Sequence, residues 1–294
     1  MKPHILMPVA MSGICSLLCL VAVDAHAQCS DAGACTISRH AGIEQTAYAR
    51  TMGLRYLYGS SGSPDDVRYQ TVNAEANLQL FSDSRLMLTL PFHRQSGPLG
   101  SVSGVGDLIA VWEQTILRWG ERENRLQIQA GARLATGNAN AIPSLPMMYQ
   151  PGLGSNDLIV GASAGLSRWT AGAAYQIAGK RNDNALVRLE RGDQILVWGN
   201  YELPWGKTSF SPGVTIIKQL QESSVLDSTA SADVFVSVPG SDQLQVNLAL
   251  RVRHEFSALL RAEFFAAIPL RPRDVNVDGL KRSMVVSVGM FLAL

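Results

Sequence analysis

Four aspartates are the first residues of this 294-residue chain whose setting suggests chemistry. Asp107, Asp157, Asp193 and Asp242 recur in one small phrase: Gly104-Val105-Gly106-Asp107-Leu108, Gly154-Ser155-Asn156-Asp157-Leu158, Arg191-Gly192-Asp193-Gln194-Ile195 and Gly240-Ser241-Asp242-Gln243-Leu244. Carboxylates gathered at one level could bind Ca²⁺ or a cationic solute, because hard cations take oxygen ligands. The same phrase also suits a turn, where Gly supplies positive φ and Asp hydrogen-bonds the local backbone as the chain bends into a strand. No single loop has the ligand-dense spacing of a calcium site, which favours turns at an outer rim. No cofactor or metal is expected.

A second set of charges recurs within runs of alternating polarity: Glu75, Arg85, Glu113, Arg125, Arg133, Glu202, Arg251, Arg253, Glu255, Arg261 and Glu263. Facing a lumen, they would form a constriction that selects solutes. Alternatively, they would fill the lumen with salt bridges, and their mixed signs lean that way. His93 or His254 could serve as a base. Their neighbours, Arg94-Gln95 and Glu255-Phe256, form no His-x-Ser pair of the outer-membrane phospholipase type, and no Ser–His–Asp order emerges. The chain does not read as an enzyme.

The elements that would position these charges are strands. Leu126, Ile128, Ala130, Ala132 and Leu134 alternate with Arg125, Gln127, Gln129, Gly131 and Arg133. Leu244, Val246, Leu248, Leu250 and Val252 alternate with Gln245, Asn247, Arg251 and Arg253, and residues 71–80 repeat the pattern. Each run has the roughly ten residues that a tilted strand needs to cross a bilayer. Strands are predicted at 45–58, 67–80, 84–94, 106–118, 124–137, 157–167, 169–181, 193–203, 207–219, 242–256, 258–270 and 281–294. Short turns alternate with long connections at 59–66, 95–105, 138–156, 182–192, 220–241 and 271–280. Such asymmetry marks an all-β, antiparallel outer-membrane barrel of about 12 strands, with both termini on the periplasmic side. Trp112, Trp119, Trp169, Trp198, Trp205, Tyr48, Tyr56, Tyr58 and Tyr175 read as a girdle at the lipid boundaries. The last run, Met284 to Leu294, is apolar on one face and ends on Leu294, whereas barrels of this kind usually end on an aromatic residue.

The N-terminus sets the compartment. Lys2, the apolar stretch from Ile5 to Val23, and Ala25-His26-Ala27 form a secretory signal, 1–27, cleaved before Gln28. A short periplasmic segment, 28–44, follows and retains Cys29 and Cys35, which an oxidising compartment would join. The barrel occupies 45–294. A net charge of +1, with no basic patch, excludes nucleic acid as a partner. Membrane lipid, lipopolysaccharide, the barrel-assembly machinery and a small solute are the expected partners. The loops 138–156, with Ile142, Leu145, Met147, Met148 and Tyr149, and 220–241, with Val234, Phe235, Val236 and Val238, are the expected covers of the mouth. They would either receive an apolar solute or pack together and shut the barrel.

Several short pieces carry a family resemblance: Leu90-Pro91-Phe92, Gly104-Val105-Gly106-Asp107-Leu108, Ala135-Thr136-Gly137, Gln150-Pro151-Gly152-Leu153-Gly154-Ser155-Asn156-Asp157 and Val238-Pro239-Gly240-Ser241-Asp242. Together with the segment from Cys29 to Cys35, they resemble the outer-membrane transporters grouped as the meta-pathway of phenol degradation family. The resemblance implies a β-barrel that takes up small molecules, aromatic or hydrophobic ones included, and it carries over no catalytic residue. The alternative function is structural or adhesive, with a side-chain-filled lumen.

Overall fold

The computed structural model describes residues 50–294, apart from 63, 64, 121–123, 180, 183, 231, 274, 276 and 278–282. The expected signal, the expected pairing of Cys29 with Cys35, Tyr48 and residues 45–49 of the first predicted strand lie outside the described residues.

Alternating sequence becomes alternating burial. On β1 (Arg50–Ser60), Met52, Leu54 and Tyr56 are exposed while Thr51, Arg55 and Leu57 are buried. The remaining strands are β2 (Arg68–Phe81), β3 (Ser84–Gly97), β4 (Gly100–Val105), β5 (Leu108–Trp119), β6 (Asn124–Leu134), β7 (Asp157–Leu166), β8 (Trp169–Ile177) and β9 (Leu189–Glu190). They continue as β10 (Gln194–Tyr201), β11 (Leu203–Trp205), β12 (Thr208–Gln219), β13 (Ser224–Leu226), β14 (Phe235–Ser237), β15 (Leu244–Glu255), β16 (Leu260–Arg271) and β17 (Met284–Ala293). Twelve of them, β1, β2, β3, β5, β6, β7, β8, β10, β12, β15, β16 and β17, pair antiparallel in a closed ring, sealed by β1 against β17. Closure gives every spanning strand two neighbours, which is what lets a sheet sit in hydrocarbon. The protein is therefore an all-β transmembrane barrel of the outer-membrane type.

Inside and outside are reversed relative to a soluble sandwich. Leu248 is 41% exposed on the outer face, while adjacent Asn247 is 2% exposed inside. Phe81, Trp119, Trp169, Trp205 and Phe256 are all exposed, and all lie at the short-turn end. Trp119, Trp169 and Trp205 belong to the expected girdle, and Phe81 and Phe256 stand beside them at that end, which suits an interface that favours amphipathic rings. Trp198 does not join it, because its ring is buried inside the barrel. The short turns need unusual backbone: Gly120 has φ 72°, and Ser167 has φ 59° in the two-residue turn between β7 and β8.

The long connections differ from expectation. The stretch 95–105, predicted as a loop, holds the end of β3 and all of β4, which pair as a hairpin on the long-loop side. The loops after β8 and β12 contribute β9, β13 and β14 to a separate three-stranded sheet.

Candidate functional site

Polar side chains from most of the ring converge in the barrel interior, which makes the interior the candidate site. Its wall has two sectors. In the sector formed by β15, β16, β17, β1 and β2, Arg55 Nε donates to Glu75 Oε1 at 2.8 Å and Arg55 Nη2 donates to Glu263 Oε2 at 2.9 Å. Arg261 Nε lies 3.5 Å from Glu263 Oε1. Glu263 also feels the fields of Arg251 and Arg253. The Phe291 ring is shared by two cations, with Arg55 Cζ and Arg261 Cζ each 5.1 Å from its centroid. The flanking residues, Gly53 and Gly289, make room for that ring, since a Cβ at either would collide with it.

The opposite sector is apolar at its centre. Met87, Ile109, Val111, Ile159, Ala174, Leu196, Trp198 and Ile217, from β3, β5, β7, β8, β10 and β12, form one buried cluster. Trp198 lies against Gly172, where a Cβ would strike the indole. Polar nodes bracket this cluster. Toward the short turns, Glu113 forms an ion pair with Arg85, Nε lying at 2.6 Å, and accepts from Gln127 Nε2 at 2.6 Å and Gln129 Nε2 at 2.9 Å. Toward the mouth, Asp157 forms an ion pair with Arg133, Nη2 lying at 2.7 Å, and accepts from Arg191 Nη2 at 2.6 Å and the Gly179 amide at 2.9 Å, with Gln176 Nε2 also donating to it.

The repeated aspartates partly correct the turn reading. Asp107 and Asp157 are buried, and their partners are not local. Asp107 accepts from the amides of Gly137 at 3.1 Å and Leu153 at 3.0 Å. Asp193 accepts from the Ala178 amide at 2.9 Å and from the Tyr175 hydroxyl at 2.6 Å. Each of these three therefore fixes the start of one strand to a chain segment at least 15 residues away. Asp242 instead pairs with Lys218 Nζ at 3.0 Å, which holds its carboxyl below the ordinary value of 3.8. Among the described residues, no three His, Cys, Asp or Glu side chains gather to hold a metal ion.

Of the charges predicted to line a lumen, Glu75, Glu113, Arg125, Arg133, Arg251, Arg253, Arg261 and Glu263 are buried, and Arg85 is partly buried beside Glu113. Two are placed elsewhere. Glu202 sits in the break between β10 and β11 at the short-turn rim, and Glu255 ends β15 exposed. Arg55, Arg191 and Trp198 are interior residues that the sequence reading missed. The phase of Gln194 and Asn200 was the available signal for Trp198, since it places residue 198 on the polar face.

The two mouth loops part ways. In 135–156, Leu145, Met147 and Tyr149 bury themselves against Val67, Tyr69 and Val102. Gln150 pins the loop through its own Nε2, which donates to the Ile142 and Leu145 carbonyls at 2.8 Å each. Beneath it lies a cavity of about 30 Å³ lined by His93, Asp107, Ile109, Arg133 and Leu153. His93 Nδ1 meets Thr71 Oγ1 at 2.9 Å. In 220–243, Val234 and Val236 remain exposed on the outer sheet, and the Phe235 ring carries the Arg181 guanidinium 3.8 Å from its centroid.

No protein-family model matches this chain, and no curated protein matches it. Solved structures do. The COG4313 outer membrane channel from Pseudomonas putida F1 matches with a TM-score of 0.62 at 19% identity, covering 84% of this chain and 96% of that one. The translocator domain of the autotransporter NalP from Neisseria meningitidis matches with a TM-score of 0.50 at 10% identity, covering 89% and 93%. At such identities the likeness is one of fold, and the fold is that of barrels in the bacterial outer membrane.

Proposed function

We propose that this barrel is an outer-membrane channel for small molecules with apolar or aromatic bodies, of the kind that the resemblance to the phenol meta-pathway transporters implies. The observation that carries this reading is the apolar interior sector around Trp198. A lumen filled only for stability would pair its polar groups. Here the Trp198 Nε1 donor and the Gln129 Oε1 acceptor are buried in that sector without a hydrogen-bond partner. An apolar wall with a few unpaired polar groups is how small-molecule sites are built. The Pseudomonas putida barrel of the same fold is an outer membrane channel, which accords with this reading. Passage requires loop 135–156 to lift, because its apolar residues close the mouth.

A structural role is the second reading. The Arg55–Glu75–Glu263–Arg261 network and the packed mouth loop support it. Single-channel recording in planar bilayers separates the two. Deleting 140–149 should raise conductance, and should change passage of an aromatic solute more than that of a sugar of similar size. A barrel silent both before and after the deletion leaves the structural reading standing.

A further inference from the structure

We propose that the outer wall over β1, β2 and β3 holds one phosphorylated lipid of the outer leaflet, its phosphate on Arg68 and Arg94 and an acyl chain in a groove below them. The wall that faces the bilayer is hollowed there. An open groove of about 730 Å³ runs over Ala74 and Ala76 of β2, between Met52 and Leu54 of β1 and Leu88 and Leu90 of β3. The register explains the hollow. Ala74 lies between Leu54 and Leu90, and Ala76 lies between Met52 and Leu88, so each short side chain is flanked by two long ones. In hydrocarbon, a flexible chain laid in such a groove gains dispersion contacts on both walls.

The same faces continue toward the mouth through two further levels. Val72 lies between Tyr56 and Phe92, whose exposed rings suit a lipid–water boundary. Above them Gln70 pairs with Arg94 and Arg68 with Ser96, which makes Arg68 and Arg94 diagonal neighbours on one face. Both arginines are exposed, and among the described residues neither side chain has an ion-pair or hydrogen-bond partner, although Asp65 and Asp66 stand just before β2. Four residues of strand, about 13 Å, separate the Arg94 level from the Ala74 level. Positive charge therefore stands above the boundary and the groove lies inside the hydrocarbon, as a phosphate-headed lipid requires. Guanidinium groups match the geometry of phosphate oxygens. A free phosphate would use the arginines alone, and a neutral lipid the groove alone. A second copy docked by the same face would set arginine against arginine.

Native mass spectrometry of the folded barrel in detergent tests this with three probes: dioleoyl phosphatidic acid, dioleoylglycerol and inorganic phosphate. Phosphatidic acid should bind about tenfold more tightly than either comparator, because each comparator engages half of the site. Arg68→Gln and Arg94→Gln should each weaken phosphatidic acid binding about fivefold, the scale of one basic residue at a membrane surface. Ala74→Phe fills the groove, keeps every charge and should weaken that binding by a similar factor. All three positions are exposed on the outer face, so the variants should fold. Phosphatidic acid binding unchanged in both arginine variants overturns the phosphate assignment, as does dioleoylglycerol binding equally well. Indifference to Ala74→Phe overturns the groove, and inorganic phosphate binding as tightly as the lipid overturns the lipid. A disulfide-linked dimer formed in high yield by Ala76→Cys, without added lipid and not by the parent chain, would give the groove to a second copy and overturn the proposal.

Discussion

Arg55, which the sequence did not single out, bridges two interior carboxylates on different strands. Two carboxylates depend on it, both nearly dry. Replacing it with Met keeps much of its volume but takes from Glu75 and Glu263 the guanidinium that bridges them. That should cost about 3–5 kcal/mol, the usual penalty for breaking one side of a buried pair, read as a lower urea midpoint for unfolding from lipid vesicles. A loss under about 1 kcal/mol would show that the remaining arginines already neutralise both carboxylates. Arg55 was hard to see because Leu54-Arg55-Tyr56-Leu57-Tyr58 is apolar on both faces of β1, with Leu57 pointing inward. Trp198 was hidden the same way in Ile195-Leu196-Val197-Trp198. The repeated aspartates were visible as a motif, but their partners were not, because an acceptor's donor 46 residues away leaves no local trace. Such distant tethering makes Asp157→Asn informative. The substitution removes the charge that Arg133 and Arg191 share, and should speed limited proteolysis within 178–193. Unchanged cleavage there would mean that the Gly179 amide contact alone secures the loop.

Strand phase was the most legible property of the elements, wherever one face was polar throughout. On β15 it leads to a sharp contrast between neighbours. Leu248→Arg places a charge in lipid and should cost about 2–4 kcal/mol near the midplane. Asn247→Arg should cost far less, because it faces an interior already rich in polar groups. Equal losses on refolding into bilayers would invert the phase. The connections were less legible. Gly97, Gly100 and Gly104 made 95–105 look like a loop, yet glycine also permits the tight bend of a hairpin, and here β3 and β4 simply continue the sheet outward. The fates of 138–156 and 220–241 were indistinguishable by composition, since both mix apolar residues with turn formers. Which loop packs inward depends on partners from elsewhere, namely Val67, Tyr69 and Val102 for the first.

At the scale of the whole molecule, the barrel divides its interior along its circumference. One arc is apolar at its centre, between two polar nodes, and the other is rich in arginine, and the two arcs border each other at β12 and β15. The strand count was legible in the alternation of short and long connections, while this division was not, because it arises only when distant strands become neighbours. The ring itself is sealed by the first and last strands, from Thr51 opposite Ala293 to Ser60 opposite Met284. Removing residues 284–294 should therefore abolish stable insertion, seen as a chain extracted from membranes by urea and digested by added protease. Resistance to both would require β16 to close on β1 in a smaller ring. That seam also sets a schedule. The closed ring alone hides the backbone polar groups of every strand from hydrocarbon, so β17 decides whether any earlier strand can stay in the membrane. Without β17, the sheet would keep two unpaired edges, on β1 and β16. Aggregation before closure is thus a hazard written into the topology, because leaving β17 unpaired exposes a strand edge at each side of the seam.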